Sequence, residues 1–153
     1  MREQRINIWT AGGITCITTN GFVKSNGHGV MGAGVAKQAR SRIPGIELRL
    51  GQNIRRHGNV VSRIAGPDMI PHHETHVLSF PVKHNWFERA DLNLIEQSAH
   101  GLKRLLDRQI GLDESVYLPR PGCGNGGLTW PVVAATLEPI LGMHDNLYIV
   151  DWP

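Results

Sequence analysis

The sequence predicts an α/β layer fold with a mixed central sheet, and three observations carry that expectation. Short runs of β-branched and other apolar residues alternate with helical patterns, the order expected where crossover helices cover a sheet. From Asp91 to Gln109, Leu92, Leu94, Ile95, Leu102, Leu105 and Leu106 recur at helical spacing, with Asp91 as a candidate N-cap. Two glycine-rich stretches, Gly27–Gly34 and Gly122–Gly127, each stand between a strand end and a helix start. In an α/β sheet such loops gather at the carboxyl ends of strands, where ligands dock.

In chain order, Ile6–Trp9 and Ile14–Thr19 read as the first two strands, turned at Gly12-Gly13 and expected to pair antiparallel. Asn20-Gly21 opens a polar loop, after which Val30–Ala36 leads into a helix running to Ile43 and stopped by Pro44-Gly45. Ile46, Leu48, Leu50 and Ile54 predict a second helix to Arg56, ending at Gly58. Val60–Ile64 is the next strand, Gly66-Pro67-Asp68 and Pro71 mark a loop, and Val77–Phe80 is a buried strand ending at Pro81. Beyond the long helix, Val116–Leu118 is a strand, Pro131–Leu141 a helix with proline near its first position, and Leu147–Val150 the closing strand.

A chain of 153 residues suits one domain spanning 1–153, since domains commonly hold about 100 to 150 residues. The formal charge is +3 and the pI about 9.2, with Lys and Arg spread rather than massed, which favours an anionic ligand without demanding a nucleic acid. The first residues run into a strand rather than an apolar leader, and no stretch has the length of a membrane span. The expectation is a soluble, cytoplasmic monomer. Cys16 and Cys123 are too few for a disulfide framework and are expected to stay reduced.

The second glycine stretch, Leu118–Trp130, packs four glycines into the six residues Gly122–Gly127 and leads straight into a helical pattern. Glycine lets the backbone turn with positive φ and lets a ligand reach N–H groups unobstructed, and a helix starting beside it adds free donors and the positive end of its dipole. The build is that of an anion cradle. Neither the P-loop pattern nor the dinucleotide fingerprint is present. A plain strand-to-helix turn is the alternative, but two such loops together favour a diphosphate clasped between them.

Four blocks, Thr18–Gly21, Val30–Ala36, Phe80–Trp86 and Leu118–Trp130, together resemble macrodomains. More narrowly they resemble the lysine-dependent branch that holds terminal ADP-ribose protein glycohydrolase and the antitoxin that strips ADP-ribose from thymidine in DNA. The resemblance implies a three-layer α/β/α fold, an ADP-ribose cleft, and ADP-ribose or ADP-ribosylated protein or DNA as ligand, with no cofactor. By that likeness Met31, Gly32, Ala33, Gly34 and Val35 wrap the distal ribose and diphosphate. Gly122, Cys123, Gly124, Asn125, Gly126, Gly127 and Leu128 cradle the phosphates from the other side. Asn20 lies near the distal ribose, and Lys83 matches the catalytic lysine. Two positions depart from the pattern. Thr10-Ala11-Gly12-Gly13 lacks the usual adenine-binding aspartate, leaving a backbone carbonyl or a different partner for the base. Asn125-Gly126-Gly127 offers no carboxylate to finish the reaction, which brings the chain closer to the DNA-directed antitoxin.

Lys83 follows a buried strand and a proline, with Trp86 and Phe87 close behind. Desolvation and nearby cations favour the neutral amine of a lysine, which can attack the anomeric carbon of a ribose and pass through a Schiff-base-type adduct. A charged lysine would instead stabilise the leaving group or a phosphate, and a surface loop lysine is the bland reading. His28 and His84 are acid–base candidates, though solvated loop histidines are commoner. His72-His73-Glu74-Thr75-His76 misses the HExxH spacing that puts two histidines on one helix face, so no metal is expected there. Cys123 has no base placed near it by sequence and reads as a small packed residue. Trp86 and Trp130 read as core or cleft-wall residues before stacking platforms. Arg55-Arg56-His57 and Lys103-Arg104 read as solvated faces. Three functions compete: an ADP-ribosyl hydrolase using Lys83, a phosphatase acting on ADP-ribose 1''-phosphate, and an ADP-ribose reader that does not cleave.

Overall fold

A computed structural model describes residues 1–69 and 76–151. Six strands form one sheet: β1 (Arg2–Gln4), β2 (Ile14–Asn20), β3 (Ser62–Ala65), β4 (Val77–Lys83), β5 (Val116–Pro119) and β6 (Leu147–Val150). Their order is β1-β6-β5-β2-β4-β3, with every neighbouring pair parallel except β3 against β4. Four helices, α1 (Gly34–Arg42), α2 (Ile46–His57), α3 (Leu92–Arg108) and α4 (Trp130–Leu141), cover it. The alternation of side chains along each strand sorts the core into two layers. Ile17 and Val77 join Ala39, Ile43, Ile46 and Leu50 of the α1/α2 face. Cys16, Leu78, Phe80 and Leu118 join Ile95, Leu102, Val133 and Leu137 of the α3/α4 face. The result is the expected three-layer α/β/α arrangement with a mixed sheet.

Three strand expectations are corrected. Ile6–Trp9 is not a strand, because the Asn7 side chain accepts a hydrogen bond from the Trp9 N–H at 2.9 Å and the Thr10 N–H donates to the Asn7 carbonyl at 3.1 Å. That Asx-type turn captures the backbone groups a ladder would need, and Ile8 is buried instead beside Tyr117 and Val150. The first strand is Arg2–Gln4, paired parallel with β6, so the antiparallel first pair does not exist. Nor does Pro81 end its strand. The β3 pairing starts at Ser62 opposite Ser79, so Pro81 is flanked only by β2, and a missing donor is tolerated at an open edge. The third strand lies at Ser62–Ala65 rather than Val60–Ile64.

The long helix forms as its pattern dictates. Asp91 caps it, accepting from the Asn93 N–H at 2.9 Å, and the His84 ring lies 2.8 Å from the other carboxylate oxygen. The hydrogen bond with His84, and then the helix N–H groups, hold the Asp91 carboxyl below its ordinary value. Asp91→Ala is expected to cost about 1 kcal/mol of stability at neutral pH. A depressed native pKa means the contribution is present above the unfolded-state value of about 3.9 and is lost as the pH falls through the native one. Urea unfolding of both proteins at successively lower pH checks this, and a gap that persists unchanged into acid would refute it.

No helix among the described residues is long and apolar enough to cross a membrane.

Candidate functional site

The chain leaves β2 through α1 and α2 toward β3 on one side of the sheet, and leaves β5 through α4 toward β6 on the other. The connections after β2 and β5 therefore part at the carboxyl ends of two adjacent strands, which opens a crevice at a topological switch point. There lies a cleft of about 730 Å³. Both glycine loops form its walls.

The first wall is Gly32, Ala33, Gly34, Val35 and Ala36. Helix α1 begins at Gly34, with φ +56°, and no side chain caps it, so its first-turn N–H groups stay available to a ligand. Asn20 staples this wall to the strand: its amide donates to the Val30 carbonyl at 3.0 Å and its oxygen accepts from the Phe22 N–H at 3.0 Å. The Asn20 side chain lines the cleft with both polar ends engaged. Met31 is buried in the α1/α2 core and, unlike its neighbours Val30 and Gly32, does not line the cleft.

The second wall is Gly122, Cys123, Gly124, Asn125 and Gly126. Gly122 and Gly127 have φ of +73° and +76°, and the Leu128 N–H closes the loop on the Gly122 carbonyl at 2.9 Å. A Cβ on Gly126 would lie 2.5 Å from that same oxygen and 2.7 Å from the Gly122 Cα, a contact only glycine avoids. Gly127 and Leu128 do not line the cleft. The Gly127 carbonyl accepts from Arg89 at 2.7 Å, and Leu128 turns back onto the core. Because the chain folds inward there, α4 does not bring its N-terminus to the cleft, and among the described residues α1 alone supplies a helix start. Among the described residues, none accepts from the N–H groups of Gly124, Asn125 and Gly126. The two walls come close, since a Cβ on Gly34 would sit 3.9 Å from Asn125 Nδ2.

Lys83 ends β4, where its carbonyl accepts from Asn59 Nδ2 at 2.9 Å and the Gly21 N–H at 3.1 Å. Its side chain lines the cleft, and Nζ donates to the Asn125 carbonyl at 3.4 Å. Trp86 also lines the cleft on this side and remains 54% exposed, edge-on to Phe87 at 5.4 Å between ring centroids. His28 and His84 lie outside the cleft lining, and His84 is engaged by Asp91. Among the described residues no group of three metal-binding side chains occurs. Of the histidine-rich run 72–76, all but His76 lies outside the described residues.

Cys123 lines the cleft, and its thiol donates to the Pro121 carbonyl at 3.5 Å. Burial pushes that thiol up from its ordinary value, against a smaller opposing pull from Arg120. Cys16, in the core, is pushed up to about 12 by burial alone. Thiolate is the reactive form, so folded protein at pH 8 is expected to leave Cys16 unmodified and Cys123 slow toward an alkylating reagent. Mass spectrometry of the labelled protein reads both, and Cys123 reacting as fast as free cysteine would overturn the expectation.

The far side of the cleft joins the expected Val35 to Ile8, Val150, Arg120 and Asp151, which the sequence did not single out. The Arg120 guanidinium stands 5.2 Å from the Trp130 ring centroid, 3.2 Å from Glu3 and 3.7 Å from Asp151. The Trp130 indole N–H donates to the same Glu3 at 2.7 Å. Thr19, which lines the cleft, keeps a buried hydroxyl without a partner among the described residues. These positions come together through the adjacency of β1, β6, β5 and β2, which no local signal announces.

No family model matches the chain. A DNA ADP-ribosyl glycohydrolase of Thermus aquaticus is 33% identical over 118 residues, covering 76% of this chain and 32% of that protein. The chain thus spans about a third of the length of the relatives it matches. The solved macrodomain of Thermus aquaticus DarG superposes with a TM-score of 0.74 at 25% identity, covering 99% of this chain and 97% of that one. A structure of Thermosipho africanus DarTG in complex with ADP-ribose gives 0.72 at 21% identity, covering 96% of this chain and 40% of that one. The chain is therefore a macrodomain by fold, similar in sequence over most of its length to DNA ADP-ribosyl glycohydrolases.

Proposed function

We propose that the cleft binds ADP-ribose and that the chain releases it from a modified DNA base, with Lys83 acting on the distal ribose. The observation that carries this reading is the juxtaposition of the Lys83 amine with the second glycine loop, 3.4 Å from the Asn125 carbonyl, in a crevice walled by two donor-rich backbones. Uncapped N–H groups of α1 and the open N–H groups of Gly124–Gly126 suit a pyrophosphate. The sugar next to it then lies toward Lys83. A neutral Lys83 amine attacks the anomeric carbon, and the bond from that carbon to the acceptor breaks, the acceptor leaving with a proton. Ring opening gives an imine, and water adds to it, restoring the amine and freeing ADP-ribose. The similarity to DNA ADP-ribosyl glycohydrolases supports DNA over protein as the acceptor.

A reader without turnover is the second reading, and one observation favours it. Among the described residues the one carboxylate that lines the cleft is Asp151, across from Lys83, so none stands near the amine to activate water. The test is incubation with ADP-ribosylated single-stranded DNA and with ADP-ribosylated protein, alongside calorimetry with free ADP-ribose. Release from DNA is expected. Binding without release from either selects the reader, and no binding at millimolar ligand defeats both readings.

A further inference from the structure

We propose that Asp151 selects the base, its carboxylate accepting a hydrogen bond from the exocyclic amine of an adenine seated at the end of the cleft opposite Lys83. The inference rests on the reading of the cleft as an ADP-ribose site and names the group that distinguishes the purine. Lys83 ends β4 and Asp151 directly follows β6, with β2 and β5 between them. Three strand spacings separate the two, roughly 14 Å. The glycine loops follow the two intervening strands. A nucleotide sugar with its distal ribose at Lys83 and its phosphates on those loops must extend its remaining end over β6.

What waits there fits a purine. Ile8, Val35 and Val150 give apolar surface for ring faces. The Asp151 backbone N–H donates to the Gln4 carbonyl at 3.0 Å, fixing where its side chain starts. Its carboxylate is 58% exposed and only loosely engaged, 3.7 Å from Arg120, whose nearer partner is Glu3 at 3.2 Å. It has acceptor capacity to spare. Adenine offers an amine donor where guanine and hypoxanthine offer a carbonyl acceptor. An ionised carboxylate accepts from the first and repels the second.

The experiment measures binding of ADP-ribose and of its inosine counterpart, which differs in carrying a carbonyl in place of the amine. Calorimetry is run on the wild-type chain, Asp151→Ala and Asp151→Asn. The wild-type chain is expected to prefer ADP-ribose by about tenfold, as suits one partly exposed charge-assisted hydrogen bond. Asp151→Ala is expected to lose that preference through weaker ADP-ribose binding, while Asp151→Asn, which keeps a carbonyl acceptor, retains part of it. Thermal unfolding should be unchanged in both variants. An Asp151→Ala protein that discriminates as well as the wild type overturns the proposal, as does a wild type that binds both ligands equally. A wild type that binds neither overturns the ADP-ribose reading itself, and this proposal with it.

Discussion

Replacing Lys83 with alanine is expected to slow release of ADP-ribose from modified single-stranded DNA by about 10³-fold or more, the scale of losing a group that bonds to the reacting carbon. Affinity for free ADP-ribose and thermal stability should change little. The side chain makes one long hydrogen bond, to the Asn125 carbonyl, while the backbone clamp by Asn59 and Gly21 does not involve it. Lys83→Arg separates the two chemical roles. Arginine keeps the charge but offers no neutral amine near pH 7, so a variant as inactive as alanine identifies nucleophilic attack. Substantial rescue identifies electrostatic stabilisation instead. Hydrolysis unchanged in Lys83→Ala would remove the residue from the mechanism.

Gly51→Ala is expected to destabilise the fold by about 2 to 3 kcal/mol, the range of overpacking in a tight contact. Helix propensity alone argues the opposite, since alanine in a helix interior is favoured over glycine by about 1 kcal/mol. The contact decides. Gly51 sits within α2 where the Gly27–Gly29 backbone crosses it, and a Cβ there would collide with the Gly27 carbonyl and approach the Gly29 nitrogen at 3.1 Å. The Gly29 N–H in turn donates to the Glu47 carbonyl at 2.9 Å, so this crossing seats the segment that leads into the first cleft wall. Urea unfolding reads the stability, and ADP-ribose affinity should fall with it. A stabilised Gly51→Ala protein would show that the crossing is not held as described.

The parts of the fold written in periodic apolar residues were legible in the sequence. The α3 helix follows from its leucine spacing and Asp91, and its cap lies where the aspartate stands. The glycine walls were legible because positive φ and close backbone approach leave few other residues that fit. Strand β1 was not, since Arg2-Glu3-Gln4 is short, polar and exposed, and it exists only because β6 offers an edge. Ile6–Trp9 misled for the converse reason: Ile8 is buried and Ile6 and Trp9 are partly so, but Asn7 turns the backbone. Within the site, a sequence motif could not separate backbone from side chain, so Met31 and Leu128, whose side chains belong to the core, stood beside residues that open onto the cleft. Asp151 was not legible because strand order, not proximity in the chain, brings it to the cleft, whereas Arg120 stands two residues before Gly122 but outside the glycine run that carried the reading.

The two cleft walls belong to different halves of the sandwich. One continues into α1 and the core of the α1/α2 face, while the other is closed by Leu128 against the α3/α4 face. The sheet is the partition that otherwise keeps these halves apart. Any guest lodged in the crevice therefore acts as a rivet at the rim, fastening two slabs whose cores lie on opposite faces of the sheet. Tightness at that rim is a property of both slabs together, so slack introduced deep in either one is felt by the guest.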